Sequence, residues 1–470
     1  MKWLRLIGLV PVLAGCSLAP TYKKPEIPVP KAYKEAAGIW REAKPSDTLP
    51  RGAWWKIYHD ATLDGLMGQL AVANADLAAA AAHFDEATAY ASEARSYLFP
   101  TLKAGTYATS NRQSLHRAHR SAGYQPSVYG DYSAGLLADY EVDLWGRVHN
   151  LVDAGEAGAA AAAADLESVR LSLTAELADD YLSLRALDAQ SNLLSGEVSA
   201  YAKALTMTRN RFEGGIDSAL DVSRAKAQLD SAQARLADTA AERALYEHAI
   251  ATLVGVPASS FKLKPELIDL KLPAVPVGVP ATLLQRRPDI AAAERRLFAA
   301  NARIGIAKAA FFPTVNLAAA GGFESTYESA WLSAPELFWS VGPNALLTIF
   351  DAGRREAVER EAKAAYNVAG AQYRSTVLHA FQQVEDNLAL LNDLARESIS
   401  LKAAVTDTKH TLDLAMNRYR EGAVSYLEVT VAQTAAQQAQ LDELNLRKRR
   451  LQASVGLIRA LGGGWGSTGG

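Results

Sequence analysis

Long stretches of this chain carry apolar residues at the spacing of a coiled coil. Between residues 166 and 187 the apolar positions advance by a mean of about 3.5 residues, at Leu166, Val169, Leu173, Leu177, Tyr181, Leu184 and Leu187. Interleaved alanines, such as the run 159–164, favour helix and allow neighbouring helices to approach closely. The pattern predicts long helices that pack side by side, at 148–213 in the first half of the chain and at 355–420 in the second.

Four shorter segments alternate instead between apolar and polar residues. Tyr132, Leu136 and Tyr140, for example, alternate with polar residues such as Ser133 and Asp139. This period predicts β-strands with one apolar face. The predicted strands are 101–109, 131–144, 314–323 and 339–350.

The lengths of these strands, near ten residues, and the aromatic residues at their ends are typical of an outer-membrane β-barrel. An edge of a soluble sandwich is the alternative. Four strands cannot close a barrel, two chains would give a bore filled by side chains, and three chains would give twelve strands around water. A conducting barrel therefore predicts at least a homotrimer.

The chain also contains an internal repeat. The segment NRFEGGIDSALDV at 210–222 matches NRYREGAVSYLEV at 417–429, and 68 residues separate Arg147 from Gly215 just as they separate Arg354 from Gly422. A glycine at the turn, followed by a small polar residue and a leucine, predicts a tight helix–turn–helix tip in each copy. The two halves are therefore two copies of one structural unit.

The repeat divides the chain into two repeated units, with a leader before them, a connector between them and a tail after them. A first repeat at 61–255 begins with a helix at 61–97 and ends, after tip 210–222, with a return helix at 216–254. A second repeat at 282–462 begins with a helix at 282–311 and ends, after tip 417–429, with a return helix at 424–461. A proline-rich connector at 256–281, a leader at 16–60 and a tail at 463–470 are expected to form a small mixed equatorial region.

Residues 1–15 have the basic start and short apolar run of a secretory signal peptide. The sequence Leu-Ala-Gly-Cys that ends at Cys16 resembles a bacterial lipoprotein signal, which implies a covalent lipid on Cys16 and anchorage in the outer membrane. A plain signal peptide with an unmodified thiol is the alternative. Cys16 is the only cysteine, so a disulfide within the chain is excluded.

Composition and motifs argue against several other functions. The net charge of −2 gives no reason to expect a nucleic-acid partner. The eight histidines are scattered and no catalytic or metal-binding motif is present, so we expect no enzyme activity, no metal site and no cofactor other than the lipid. His116 and His119 lie in a basic segment between the first two strands, for which a solvated external loop is favoured over a metal site.

Three segments carry a family resemblance: Leu-Gln-Arg-Arg-Pro-Asp-Ile at 284–290, Phe-Phe-Pro-Thr at 311–314, and the second tip at 418–429. Together with the repeat they are similar to the TolC-like outer-membrane efflux proteins, with the lipidated branch most similar. The resemblance covers about residues 13–465. It implies a trimeric, twelve-stranded outer-membrane barrel continued by a long α-helical coiled-coil barrel across the periplasm. It also implies two partners, a periplasmic adaptor and an inner-membrane pump.

The resemblance assigns roles to residues of the two tips. They are expected to contact the adaptor and to form the closed end of the helical duct through Gly215, Ser218, Leu220, Gly422, Ser425 and Leu427. Many members of the family carry an aspartate shortly after the second tip, where this chain has Val431. The candidates for an acidic gate are therefore Glu428 and Asp221, with Arg418 or Arg420 as their partners across a subunit interface.

Three functions compete at this stage. A passive efflux duct for drugs, toxic compounds or metal ions accounts for the amphipathic strands, the long helices and the paired tips. A duct for protein secretion is an alternative, although the lipoprotein signal resembles the drug and metal branch. A lipid-anchored trimeric structural protein accounts for the coiled coil but leaves the alternating strands unexplained. The sequence does not identify the exported compound.

Overall fold

The computed structural model describes residues 17–30, 32–35, 52–114, 128–269, 271–273, 275, 286–329 and 331–463. Its helices are α1 (Ala61–Ala73), α2 (Ala75–Ser96), α3 (Arg147–Glu213), α4 (Ala219–Leu253), α5 (Pro288–Ala309), α6 (Arg354–Arg420) and α7 (Tyr426–Ala460). Its strands are β1 (Thr101–Arg112), β2 (Val128–Glu141), β3 (Thr314–Ser325) and β4 (Leu337–Leu346). Helices α3 and α6 have 67 residues each, and α4 and α7 have 35 each, so the repeat in sequence is a repeat in structure.

The described chain divides into two compact units, of which the first comprises residues 1–26, 83–163 and 292–373. Its centre is a four-stranded antiparallel sheet in the order β1-β2-β3-β4. The residue spacing places apolar side chains such as Leu136 and Trp339 on one face, where both are more than half exposed. An apolar face left open to the surroundings is what a strand in lipid requires.

A row of glycines crosses this sheet. Gly105 pairs with Gly135, and Gly135 pairs with Gly322 on the next strand. A Cβ atom added at Gly322 would lie 2.2 Å from the carbonyl oxygen of Ala134, whereas one added at Gly105 would meet nothing within 4 Å. Strands β2 and β3 therefore approach each other at a point that tolerates only glycine.

Residues of the leader pack against helices of the same unit. Ser17 Oγ donates to Asn150 Oδ1 at 3.0 Å, and Asn301 Nδ2 donates to the carbonyl of Pro20 at 2.8 Å. Lys24 Nζ pairs with Glu294 at 2.5 Å. The segment that follows Cys16 is thus held along its length, although Cys16 itself lies outside the described residues.

The second unit comprises residues 27–82, 164–291 and 374–470. Its main core joins the 3₁₀ helix Trp54–Tyr58 and α1 to the middle of α3 and the ends of α4 and α7. Leu63, Leu70, Leu177 and Leu184 in this core are fully buried. Of the residues that the 3.5-residue period selected in α3, Leu173, Leu177, Tyr181 and Leu184 are buried in this core, and Leu166 and Val169 pack against it partly buried.

The helix predicted at 61–97 is two helices, which was not anticipated. It is divided at Asn74, whose Oδ1 accepts from the amide of Leu77 at 2.8 Å and so caps α2. Asn74 Nδ2 donates to the carbonyl of Leu253 at 2.8 Å. The hydrogen bond from Asn74 to the end of α4 therefore accompanies a break in the helix, although the local sequence favours a continuous helix.

Two strands begin and end earlier than predicted. Strand β2 ends at Glu141 because the next residues turn into α3, and Asp143 Oδ2 accepts from the amide of His149 at 2.8 Å. Strand β4 ends at Leu346, which pairs with Thr314, the first residue of β3. Residues 347–350 continue the alternation but have no partner residue on β3. The helix expected from 282 is described from Pro288, a residue favoured in the first turn.

Candidate functional site at the paired helical tips

Both long helices end in the same backbone motif. Gly215 and Gly422 have φ angles of 74° and 76°, a left-handed conformation that favours glycine. The amide of Ile216 donates to the carbonyl of Arg211 at 2.8 Å, and that of Ala423 donates to Arg418 at 2.9 Å. These bonds satisfy carbonyls that each helix end would otherwise leave unpaired. The motif reverses the chain within a few residues in each repeat.

The two return helices begin differently. Ser218 and Asp221 form a capping box, in which Ser218 Oγ accepts from the Asp221 amide at 3.2 Å and donates to the Asp221 carboxylate at 2.6 Å. Ser425 has the extended conformation of a capping residue, but its side chain makes no capping bond. The residue that corresponds to Asp221 is Glu428, which lies 3.8 Å from Arg418 as an exposed ion pair.

A polar cluster joins the first tip to the second, and we call it the Asp217 latch: Thr208, Arg211, Asp217 and Tyr419. Arg211 Nε lies 3.1 Å from an Asp217 carboxylate oxygen, and the Tyr419 hydroxyl donates a short hydrogen bond to the same carboxylate. The hydroxyls of Tyr419 and Thr208 are 3.2 Å apart. Burial raises the pKa of Tyr419 to about 12, and the bond to Asp217 acts in the same direction. The hydroxyl therefore remains a donor at neutral pH.

The latch rests on a small apolar core. The ring of Tyr419 lies edge-to-face with that of Tyr426 at a centroid distance of 5.4 Å, and the Arg211 guanidinium lies 4.8 Å from the Tyr419 ring centroid. Ala204, Ala225 and Val429 complete the buried cluster. Because both tips pack on this pair of tyrosines, the contact between the tips has a defined geometry.

Apolar side chains remain exposed around the tips. Leu220 is 57% exposed and Leu427 is 45% exposed, at equivalent positions of the two repeats. Phe212 and Ile216 are exposed beside them, and so is Val431. Apolar groups gathered at the end of a helical hairpin, rather than scattered singly, are typical of a surface that binds a partner.

The predicted gate residues have partners within their own chain. Asp221 accepts from Ser218 and lies 3.4 Å from Arg224. Arg418 pairs with Glu428, and Arg420 donates to Asn417 at 3.4 Å; their roles across a subunit interface stay predictions. Sequence reasoning missed Asp217, since its counterpart in the second repeat is Val424. The only signal in the sequence was the aromatic position that follows the tip arginine. This position is Tyr419 in the second tip, where it is buried, and Phe212 in the first tip, where it is exposed.

No group of three or more histidine, cysteine, aspartate or glutamate side chains is placed to hold a metal ion within the described part of the chain. None of the described helices combines the length and the apolar character needed to cross a membrane. His116 and His119 lie outside the described residues.

Comparison with known proteins identifies the family. The family model for outer membrane efflux proteins matches residues 66–256 and 279–463. Outer membrane protein OprJ of Pseudomonas aeruginosa is 34% identical over 96% of this chain and 94% of its own. A probable efflux pump outer membrane protein of Pseudomonas putida, SepC, is 32% identical over 98% of this chain and 96% of its own. The solved outer-membrane channel OprN superposes with a TM-score of 0.87 at 30% identity, over 96% of this chain and all of that one.

These similarities extend over nearly the whole chain and include both repeats. They confirm the predicted fold class, the location in the outer membrane and the function of an exit duct in efflux. The solved relatives of this family are outer-membrane channels. The chain belongs to the outer membrane efflux protein family.

Proposed function

We propose that three copies of this chain form the passive exit duct of a tripartite efflux system, closed at the tips by the Asp217 latch. The observation that carries this proposal is the hydrogen bond from Tyr419 to Asp217, which joins one tip to the other. A joint built from a few polar contacts at exposed helix ends opens at a modest free-energy cost, so a partner that binds the tips can shift it. The duct itself carries out no chemical conversion.

The cargo that we propose is small organic molecules. Relatives carry names that refer to efflux of toluene, solvents and antibiotics. Metal ions are a second class of cargo that a passive duct would carry.

The surface that we propose for the periplasmic adaptor is the exposed apolar rim of the tips. Leu220 and Leu427 occupy equivalent positions, each two residues after its capping serine, Ser218 or Ser425. Two similar surfaces per chain suit a partner that meets the duct in repeated copies around a symmetry axis. The adaptor would link the duct to an inner-membrane pump, which supplies the energy.

We infer that a lipid on Cys16 holds the chain to the outer membrane. Ser17, the next residue, donates to Asn150 on α3, and the leader continues along the same unit. A lipid at residue 16 would therefore be attached to a segment whose path along the helices is fixed. Outer-membrane lipid is then a further partner of the chain.

The charge at the gate is proposed to come from Glu428. Its side chain is 54% exposed and its ion pair with Arg418 is a long one, whereas the Asp221 side chain is 14% exposed and takes part in the capping box. Three copies of Glu428 around a threefold axis would repel one another and attract cations. Val431, which is 61% exposed, adds no charge to such a ring.

The test is efflux in a host that lacks its own copy of this duct. Cells that express the chain should exclude an antibiotic, and Leu220→Glu combined with Leu427→Glu should abolish the exclusion by disrupting adaptor binding. The matched control is Leu267→Glu, which adds the same charge at a leucine that is 61% exposed but lies in the connector. Full exclusion by the double variant would contradict adaptor binding at the tips. Absence of exclusion by the wild type, with its trimer and partners present, would contradict the efflux duct.

A further inference from the structure

A cavity of about 380 Å³ lies in the second unit, where the connector passes over α6 and α7. We call it the connector cavity. The connector contributes Asp269, Lys271 and Leu272 to the lining, and α6 contributes Ser398 and Lys402. The lining side chains of α7 are Glu443, Leu444, Leu446, Arg447, Arg450 and Leu451. A volume of this size is within the usual range for a small-molecule site. Nothing in the duct mechanism uses it.

The lining of the connector cavity carries an excess of positive charge. Its cations are Lys271, Lys402, Arg447 and Arg450, and its carboxylates are Asp269 and Glu443. Asp269 is engaged by Arg447 through a short ion pair. Counting all six, two positive charges remain without a balancing carboxylate in the lining. Clustered like charges raise the free energy of the empty site and favour an anion there.

Arg450 supplies a specific binding group. Its Nε atom is buried and has no hydrogen-bond partner among the described residues. A buried donor without an acceptor is costly, and a guanidinium is well suited to a carboxylate, sulfonate or phosphate. Arg450 therefore supplies a positive charge in the lining that an anionic group would pair with.

The rest of the lining is apolar. Leucines from both the connector and α7 contribute to the wall, including Leu272, Leu446 and Leu451. An inorganic anion would leave this surface unused, whereas a neutral apolar molecule would leave Arg450 unpaired. The combination fits a molecule with an anionic head and an apolar body.

We propose that the connector cavity binds an amphiphilic organic anion, with its head group at Arg450 and Lys402 and its apolar body against the leucines. The site is separate from the tips, so its occupancy does not depend on the state of the Asp217 latch. It would let the duct retain amphiphiles at a site other than the tips.

The test is calorimetric titration of the trimer in zwitterionic lipid nanodiscs with decanoate, with empty nanodiscs as the background. We expect saturable binding of one decanoate per chain. Arg450→Gln combined with Lys402→Gln should weaken it about tenfold or more, because charged hydrogen bonds are lost. Arg449→Gln is the matched control, since it removes the same charge from the adjacent residue, which lines a different cavity, and it should leave the affinity unchanged. Arg450→Lys should retain most of the binding.

Three further results would overturn the site. In the first, the double variant, with intact trimers, binds decanoate as tightly as the wild type does. In the second, the wild type binds the cation decyltrimethylammonium saturably and as tightly as decanoate. In the third, Arg449→Gln weakens decanoate binding as much as the double variant does. Nanodiscs that contain phosphatidylglycerol distinguish the source of the ligand. If the affinity for decanoate is the same in these nanodiscs as in zwitterionic ones, the site takes amphiphiles from the aqueous phase. If phosphatidylglycerol competes with decanoate for the site, the ligand is an anionic lipid. None of these results bears on conduction, so failure of this site leaves the duct intact.

Discussion

Tyr419 at the end of α6 donates a hydrogen bond to Asp217, which lies 202 residues earlier in the turn between α3 and α4. This bond connects the two copies of the repeat at a position where a polar residue of the first tip has an apolar counterpart in the second, Asp217 against Val424. The internal repeat therefore supplies two similar tips, and a departure from the repeat joins them. The predictions below separate the contributions of the joint, the caps and the sheet.

Removal of the Tyr419 hydroxyl should loosen the tips without disturbing their core. Tyr419→Phe keeps the ring against Tyr426 and Arg211 but leaves Asp217 with Arg211 alone. A hydrogen bond to a charged group is worth about 1.5–3 kcal/mol. We expect faster proteolysis at the tip arginines. The matched control is Tyr426→Phe, whose hydroxyl makes only a 3.5 Å bond to Gln433, and equal effects of both changes would contradict this role.

The two capping serines should differ in their contribution to stability. Ser218→Ala removes a capping box and should cost about 1 kcal/mol, with faster hydrogen exchange in the first turn of α4. Ser425→Ala removes no capping bond and should change exchange in the first turn of α7 much less. If both substitutions accelerated hydrogen exchange equally, the capping bonds of Ser218 would not stabilise the start of its helix more than Ser425 stabilises its own.

A side chain at the glycine row should interfere with sheet assembly at one position and not at another. Gly322→Val would place its Cβ against the Ala134 carbonyl and should greatly reduce the yield of folded trimer. Gly105→Val lies in the same row but meets nothing within 4 Å and should assemble normally. The measurement is heat-resistant trimer on gels, and normal assembly of both variants would contradict the close approach.

The stability of the second unit should fall as pH rises because of Asp180. Burial, followed by the negative charges of Glu176 and Asp179, raises the pKa of Asp180 from 3.8 to about 7. Between these two values the unfolded chain releases the proton while the folded chain keeps it, so the penalty grows with pH and is complete above about pH 7.

Asp180→Asn should therefore be more stable than the wild type at pH 8, and the difference should shrink as the pH is lowered towards about 4. The measurement is thermal unfolding across this pH range. Asp230→Asn, at an exposed carboxylate on α4, should show no such trend. A constant difference between Asp180→Asn and the wild type at all pH values would show that burial does not control this carboxyl.

The features that could be predicted from the sequence are those with a local physical cause. The 3.5-residue period in α3 and the glycines at Gly215 and Gly422 place the long helices within a residue and their turns at the observed positions. A left-handed glycine after a helix is required by the backbone alone, so one copy of the motif is enough to predict it.

The features that could not be predicted depend on partners distant in sequence. Asn74 divides the first helix because it bonds to Leu253, and Asp217 matters because Tyr419 reaches it. Nothing near either residue indicates these contacts. The roles assigned to Asp221 and Arg418 in a threefold arrangement stay predictions; within one chain, Asp221 takes part in the capping box and Arg418 pairs with Glu428.

The acidic character of the gate is tested by ion selectivity. Glu428→Gln should reduce the preference of open channels for cations in a salt gradient. It should change stability little, because the pair with Arg418 is exposed. Asp221→Asn should instead weaken the start of α4 and leave selectivity unchanged. Reduced selectivity in Asp221→Asn with unchanged selectivity in Glu428→Gln would assign the charged ring to Asp221 and not to Glu428.

The most direct test of the account is single-channel recording of purified trimers in planar bilayers. Wild-type channels should be closed for most of the time, and Asp217→Asn and Tyr419→Phe should each raise the open probability. The double variant should open little more than the stronger single variant, because both changes weaken the same contact between the tips. Intact trimers of the double variant that stay closed as often as the wild type would contradict a duct held shut by the Asp217 latch.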